Sequence, residues 1–114
     1  EIIIDDFANN YDLKLLNTHF SPYGDYKYKT LSIKYKNQDG VSLRIKIYDI
    51  QKHLIRTLLE TDSLDLGIVE WDGKDANDNI MPVGVYVVYY EFMNKKTGAS
   101  TKNKKPCVLG RMLS

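Results

Sequence analysis

The sequence predicts an all-β fold, an antiparallel β-sandwich of about seven strands. Apolar residues recur with period two in several short runs, and turn residues separate these runs at intervals of about a dozen residues. Helical spacing is scarce, so the chain has no room for the crossover helices that a parallel sheet requires. A chain of 114 residues is the size of one domain with a single core.

The first twelve residues do not follow the alternating pattern. Four polar residues interrupt them: Asp5, Asp6, Asn9 and Asn10. We therefore expect residues 1–12 to be a lead-in segment from a preceding region, with a candidate strand at 2–4, and residues 13–114 to form the sandwich. The chain opens on Glu1 rather than Met, which indicates either a removed leader or, as we favour, a piece of a longer polypeptide.

The first half of the sandwich contains four predicted strands. Residues 13–20 form a candidate strand before the S-P-Y-G-D turn, and residues 31–36 and 41–48 alternate apolar with polar side chains. The Asp-Gly signal at 39–40 predicts that these last two strands pair as a hairpin. Residues 53–59 are short and contain β-branched side chains, which favours a strand over a helix.

The second half contains the longest predicted strand, residues 85–92. It is apolar on both faces, which indicates a strand with neighbours on both sides and a loop or terminal segment over its second face. One face carries four large side chains: Tyr86, Val88, Tyr90 and Phe92. Residues 67–71 form a short strand before it, residues 94–105 a polar loop or hairpin after it, and residues 106–112 the last strand.

The charge balance indicates no nucleic-acid partner. The chain has 16 Lys and Arg against 15 Asp and Glu, a formal net charge of +1, which gives no large field for phosphate backbones or anionic lipid. We interpret Lys102, Lys104 and Lys105 as a solvated loop or strand edge rather than a binding patch.

Two further features bound the class of protein. No apolar run approaches the roughly 18 to 20 residues of a membrane span, so we expect none. Cys107 is the single cysteine, so it forms no intramolecular disulfide, and we expect its side chain in the core.

An acid-rich segment, W-D-G-K-D-A-N-D-N-I-M-P-V-G-V-Y at 71–86, is the one candidate metal site. Asp75, Asn77 and Asn79 stand at the one-three-five spacing of an EF-hand loop. However, position six is Ile80 instead of Gly and position twelve is Tyr86 instead of Glu. We therefore favour a strand-to-strand connection without metal or other cofactor, although calcium sites need no fixed spacing and another geometry stays open.

The aromatic residues raise the alternative of a carbohydrate-binding module. Trp71 stands at a strand end, where we favour a buried anchor with its indole N–H on a turn carbonyl over a sugar-stacking platform. Four tyrosines lie near one another in sequence: Tyr23, Tyr26, Tyr28 and Tyr35. We favour half-buried sheet tyrosines over an exposed stripe that binds carbohydrate or a partner strand.

No motif indicates an enzyme. His19 and His53 have no second imidazole or cysteine at zinc-ligand spacing. The sequence contains no G-x-S-x-G nucleophile turn and no glycine-rich phosphate loop.

Five segments, in order, carry a family resemblance. They are F-S-P-Y-G-D at 20–25, L-S-I-K-Y at 31–35, I-K-I-Y-D-I-Q-K-H-L-I-R-T-L at 45–58, the W-D-G to G-V-Y run at 71–86, and V-L-G-R at 108–111. Together they resemble the Ig-like domain of the bacterial flagellar hook-capping protein and the related C-terminal modules of secreted and surface bacterial proteins.

The resemblance implies an Ig-like or fibronectin III-like sandwich without catalytic residues. It implies a secreted or cell-envelope location, a protein partner or secretion machinery as the partner, and a role in structural assembly or in secretion targeting and display. The chain ends a few residues after V-L-G-R, as sorting modules of similar appearance do. The residues that match the structural motif of the family are Trp71, Asp72, Gly73, Asp75, Pro82, Gly84 and Tyr86.

The chain departs from the family pattern at three places. It has Lys52-His53 where the family has Gly-Arg, and Asn77-Asp78 where the family has Asn-Gly. Tyr23 and Tyr26 replace small turn residues. Within the motif we expect Trp71 to pack inward, Asp72 and Gly73 to turn the chain, Pro82 to fix the approach and Gly84 to open the next strand.

Overall fold

The computed structural model describes residues 12–23 and 27–111, which form eight β-strands and no helix. The strands are β1 (Asp12–Leu15), β2 (His19–Phe20), β3 (Leu31–Asn37), β4 (Val41–Asp49), β5 (Leu54–Thr61), β6 (Asp65–Trp71), β7 (Gly84–Asn94) and β8 (Ser100–Leu109). The predicted all-β sandwich-like fold is confirmed, with eight strands in place of about seven. Within these residues no helix has the length and apolarity needed to cross a membrane.

Two sheets enclose the core. One has three strands in the order β1-β3-β6, and the other has five in the order β2-β8-β7-β4-β5. All pairs are antiparallel except β2, which runs parallel to the end of β8. Asp12, the last residue of the predicted lead-in, is the first residue of β1, and the rest of that segment, with the candidate strand at 2–4, lies outside the described residues.

The predicted strand at 13–20 is in fact two strands that belong to different sheets. Between β1 and β2, Asn17 fixes the crossing, because its side-chain amide donates to the carbonyl of Thr30 at 3.0 Å and its Oδ1 accepts the N–H of Ser32 at 2.9 Å. A period-two pattern records which side chains point inward, and it carries no information about the change of sheet.

The predicted hairpin of 31–36 with 41–48 is wrong. β3 and β4 do flank the Asp-Gly turn, and Gly40 has a φ of +85°, but the two strands lie in opposite sheets. Buried Asn37 holds this corner by donating its side-chain amide to the carbonyls of Val41 at 2.8 Å and Ser63 at 3.0 Å. An Asp-Gly signal specifies the turn backbone, whereas the sheet partners depend on contacts far away in sequence.

The core is made mainly by the inward faces of β3, β4 and β7. β7 is the longest strand and lies between β8 and β4, as its apolar composition predicted. Its inward side chains Tyr86, Val88, Tyr90 and Phe92 are all buried. Cys107 is also in the core, as expected, and burial raises the pKa of its thiol to about 12.

β8 begins earlier than the sequence predicted. Of the predicted polar loop or hairpin at 94–105, the hairpin is what forms: residues 100–105 are strand and pair with β7, and the turn between β7 and β8 comprises residues 95–99. β2 covers β8 only at Val108 and Leu109, so the edge of β8 before them has no paired strand among the described residues. The polar composition of 100–105 suits such an edge, where lysines discourage pairing with other chains.

The connection from β4 to β5 contains a residue with unusual backbone geometry. Lys52 has a φ of 72°, and Asp78 in a later connection has a φ of 68°; they are the two non-glycine residues with positive φ in the described part of the chain. This left-handed region costs an L-residue roughly 1–2 kcal/mol. Each of these residues is therefore strained at a site that glycine would suit.

Replacing Lys52 by Gly should stabilise the domain. Relief of the left-handed strain outweighs the greater freedom that glycine gives to the unfolded chain, so we expect the free energy of unfolding to rise by about 0.5–1 kcal/mol. Urea denaturation measures it. The matched control is Gln51→Gly, one residue earlier, which should lower stability; equal effects of the two substitutions would contradict this reasoning.

Candidate functional site

The acid-rich connection between β6 and β7, residues 72–83, carries most of the predicted motif. It leads from the three-stranded sheet to the five-stranded sheet. At its start, Trp71 is fully buried at the end of β6, and its indole N–H donates to the carbonyl of Lys74 at 2.9 Å. The ring lies 5.4 Å from that of Phe20 and 5.2 Å from that of Tyr86, measured between centroids. No face of the indole is left for stacking a sugar.

Gly73 is required by close packing as well as by backbone shape. Its φ is +83°, and a Cβ at this position would lie 2.9 Å from Cδ1 of Leu109 and 3.5 Å from the ring of Phe20. Its carbonyl accepts the N–H of Met81 at 2.8 Å, which closes the connection on itself. Gly73 thus makes the turn that the sequence assigned to it and lets the connection lie against the core.

The carboxylate of Asp72 contacts its own turn and a neighbouring strand. Oδ1 accepts the N–H of Lys74 at 3.1 Å and lies 3.5 Å from the guanidinium of Arg56. The side chains of this ion pair are 36% and 46% exposed, so it contributes at most about 1 kcal/mol.

Asp75 organises the tip of the connection. Its Oδ1 accepts the main-chain N–H groups of Asn77 and Asn79, each at 2.9 Å. The hydrogen bond from the N–H of Asn79, followed by that from Asn77, lowers the pKa of this carboxyl. The one-three-five spacing that suggested a calcium loop is therefore the spacing of an aspartate that caps its own turn.

The same turn occurs a second time, between β4 and β5. Asp49 accepts the N–H groups of Gln51 and His53 at 2.9 and 2.8 Å, and the fourth residue, Lys52, donates its N–H to the carbonyl of Asp49 at 3.0 Å. In the β6–β7 connection the fourth residue is Asp78, which donates to the carbonyl of Asp75, also at 3.0 Å. In both turns the fourth residue is the one with positive φ. Sequence reasoning missed this repetition, although an Asp three residues before Lys52 and another three residues before Asp78 were the available signal.

The end of the connection is fixed by Tyr86. Its hydroxyl donates to the carbonyl of Pro82 at 2.6 Å, four residues upstream, while the ring packs on Trp71. Burial raises the pKa of this hydroxyl. Gly84 is the first residue of β7. The structure thus brings Trp71 and Tyr86 into contact, and Pro82 adjoins them through its carbonyl.

No group of three or more His, Cys, Asp or Glu side chains that could hold a metal ion occurs in residues 12–23 and 27–111. The two histidines lie at opposite edges of the five-stranded sheet, on β2 and just before β5. His53 Nδ1 lies 3.0 Å from the second oxygen of Asp49, so this histidine belongs to the β4–β5 turn.

Of the four tyrosines that lie near one another in sequence, the three that the structure describes do not form a stripe on one face. Tyr23 packs against the core, and Tyr28 is exposed with the ammonium of Lys27 5.1 Å from its ring centroid. Tyr35 covers Gly67 and donates its hydroxyl to Asp65 at 3.3 Å, and burial together with this carboxylate raises its pKa. Tyr26 lies outside the described residues.

A different apolar surface, missed by sequence reasoning, lies on the outward face of the five-stranded sheet. We call it the outer-face row; its members stand opposite one another in register on four strands: Leu54, Tyr48, Val87 and Pro106. Tyr89 lies beside the row, with its ring 5.9 Å from that of Tyr48 at an angle of 87°. The apolar second face of 85–92 was the available signal; the sequence predicted a loop or terminal segment over it, whereas Val85 is 46% exposed and Val87 and Tyr89 line an open concavity.

An open concavity of about 380 Å³ lies over part of this row. Its lining combines Tyr48, Val87 and Tyr89 with the charged residues Asp49, Lys52 and Lys104, and with Ile50, which is 70% exposed. The outward face can therefore offer ring surface and charged groups to a ligand or partner.

Comparison with known proteins identified no relative: no family model matches the chain, and no curated protein matches it.

Asp75→Asn should reduce stability at neutral pH and have little effect in acid. The folded-state pKa of Asp75 lies below its ordinary value of 3.8, so its ionised form stabilises the fold fully above that value. This contribution disappears as the pH falls through the folded pKa. Urea midpoints at pH 7, 4 and 2.5 measure the difference from the natural chain.

The control for that experiment is Asp62→Asn, an exposed aspartate in the β5–β6 connection. We expect its midpoint to follow that of the natural chain at each pH. A difference for Asp75→Asn that stays constant down to pH 2.5 would show that its carboxylate does not support the turn.

Proposed function

We propose that this chain is a non-catalytic Ig-like module of a larger exported bacterial protein, related to the Ig-like domain of hook-capping proteins and to C-terminal sorting modules. The observation that carries the proposal is the position of the two left-handed residues. The family has glycine at two places where this chain has Lys52 and Asp78, and these residues have φ of 72° and 68°. In both connections the backbone therefore has the left-handed conformation that glycine favours, although the residue is not glycine.

The strand arrangement supports a fibronectin III-like version of the Ig fold. In this interpretation β1, β3 and β6 are strands A, B and E, and β4, β5, β7 and β8 are strands C, C′, F and G. β2 then corresponds to the part of the first strand that crosses to the second sheet. Tyr86 near the start of β7, with its hydroxyl on the carbonyl of Pro82, corresponds to the tyrosine corner of such domains.

The state of Asp49 and Asp75 supports a structural role for these two acids in their turns. Asp75 and Asp49 accept main-chain hydrogen bonds within their own turns. Hydrogen bonds from these N–H groups hold both pKa values below the ordinary range, whereas a general acid at neutral pH needs a raised one. The surfaces open to other molecules are the outward faces and edges of the sheets. We propose that the module serves either as an assembly contact or as a targeting element for export and surface display.

A fusion experiment separates these two roles. The full chain is joined to the C-terminus of a fluorescent reporter that is directed to the periplasm of a bacterium with an outer-membrane machine for C-terminal sorting modules. Appearance of the reporter on the cell surface is expected for targeting, and retention in the envelope fraction is expected for an assembly contact. A fusion that fractionates as the reporter alone would contradict both.

Carbohydrate binding is the second candidate function, favoured by Tyr48 and Tyr89 on the outward face. Their perpendicular rings adjoin Asp49, Lys52 and Lys104 in the concavity of about 380 Å³, and aromatic faces with nearby polar groups suit a sugar.

A glycan array tests this second candidate. We expect binding that is lost in Tyr48→Ala, because the substitution removes one of the two rings. Binding should persist in Tyr28→Ala, which removes a tyrosine exposed elsewhere. Thermal unfolding confirms that each variant is folded. An array without signal, or binding unaffected by Tyr48→Ala, would contradict the candidate.

A further inference from the structure

The edge strands of the two sheets differ in how they are protected from pairing with other chains. β1 has four residues, β5 has register shifts against β4 at two places, and the open edge of β8 contains Pro106 and three lysines. Short length, irregular register, proline and lysine all discourage edge-to-edge pairing. β6 has none of these features: its seven residues, D-L-G-I-V-E-W, pair with β3 in uninterrupted register.

Within residues 12–23 and 27–111, no strand pairs with the outer edge of β6, which presents the main-chain groups of Leu66, Ile68 and Glu70. On β3, the carbonyl of Ser32 accepts the N–H of Leu16 at 2.8 Å, and the N–H of Ser32 donates to Oδ1 of Asn17 at 2.9 Å. Ser32 therefore bonds toward β1, and because direction alternates along a strand, its neighbours bond toward β6.

The same alternation assigns the two sides of β6. Val69 and Gly67 stand opposite Ile33 and Tyr35, and these pairs exchange the hydrogen bonds between β3 and β6. The N–H and C=O groups of the residues between them, at 66, 68 and 70, consequently point away from β3.

The side chains of these same residues form an apolar and charged surface on the outward face. Leu66 is 61% exposed and Ile68 is 57% exposed, and Glu70 is also exposed. On β3, Lys36 stands opposite Leu66 and Lys34 stands opposite Ile68. The edge thus offers hydrogen bonds, apolar contact and a negative charge on β6, with positive charges beside it on β3.

We propose that β6 is a self-association edge, on which a second copy of this chain pairs antiparallel to form a continuous six-stranded sheet. The two-fold axis passes beside Ile68, so that Ile68 faces Ile68 of the second copy. Leu66 then faces Glu70 of the second copy, and the reverse pair follows from the symmetry. Each of these pairs joins residues whose main-chain groups point outward, so each exchanges two hydrogen bonds.

Self-complementarity argues for a second copy as the occupant. In this register Glu70 lies beside Leu66 of the second copy, which in turn lies beside Lys36 of that copy. The carboxylate of Glu70 and the ammonium of Lys36 of the second copy can therefore contact each other across the side chain of Leu66, once on each side of the axis. A register displaced toward the start of β6 would use Leu64, whose N–H is already donated to Asp39 Oδ1 at 2.9 Å.

Sedimentation equilibrium of the full chain, from micromolar to millimolar concentration, tests the proposal. We expect the average mass to rise from that of one chain toward that of two. Ile68→Lys places like charges at the axis, next to Lys34, and should weaken association at least tenfold. The matched control is Val85→Lys, which adds the same charge at a residue 46% exposed on the other sheet and should associate as the natural chain does.

A charge exchange tests the register separately. Glu70→Lys and Lys36→Glu should each weaken association, and the two substitutions combined should restore it. Thermal unfolding of each variant checks that the monomer is folded. A natural chain that stays monomeric at millimolar concentration, or an Ile68→Lys variant that associates as Val85→Lys does, would overturn the proposal. Failure of the combined variant to recover would overturn the register.

Discussion

Trp71 connects the two sheets at one end of the sandwich, and the neighbouring turns depend on it. Its backbone pairs with Leu31 in the three-stranded sheet, while its ring packs on Phe20 and Tyr86 from the five-stranded sheet. A buried tryptophan removes about 150–250 Å² from water, so this contact is among the largest in the core. Because the indole N–H also holds the carbonyl of Lys74, the ring positions the first turn of the β6–β7 connection.

The connections satisfy their polar groups from within. Asp49 and Asp75 each accept the N–H groups two and four residues ahead, and Asn94 accepts those of Lys96 and Thr97 in the last hairpin. Local side-chain acceptors of this kind replace the ladder bonds that a turn lacks. A cluster of acids and amides in such a chain therefore reflects the number of turns that need capping.

Because Asp49 and Asp75 are used in their turns and Trp71 is buried, the surfaces that could contact other molecules lie elsewhere. Several exposed apolar side chains, such as Ile50 and Leu64, lie in connections, and others lie on the outward sheet faces at two locations, the outer-face row and β6. The two locations differ in kind. The outer-face row lies across strands that are already paired, so it offers side chains only, whereas β6 also presents main-chain hydrogen-bonding groups.

Local pattern was sufficient to predict the β class, the inward face of β7, the burial of Cys107 and the direction of the Trp71 side chain. These properties depend on alternation and on side-chain chemistry, which are properties of short segments. Only the tertiary structure decided that residues 13–20 divide between two sheets and that β3 and β4 face each other across the core. It also decided that residues 100–105 are strand and that the acids at 49 and 75 make the same turn. Strand partners and sheet edges depend on contacts between residues distant in sequence, and a period of two is the same for a strand in either sheet.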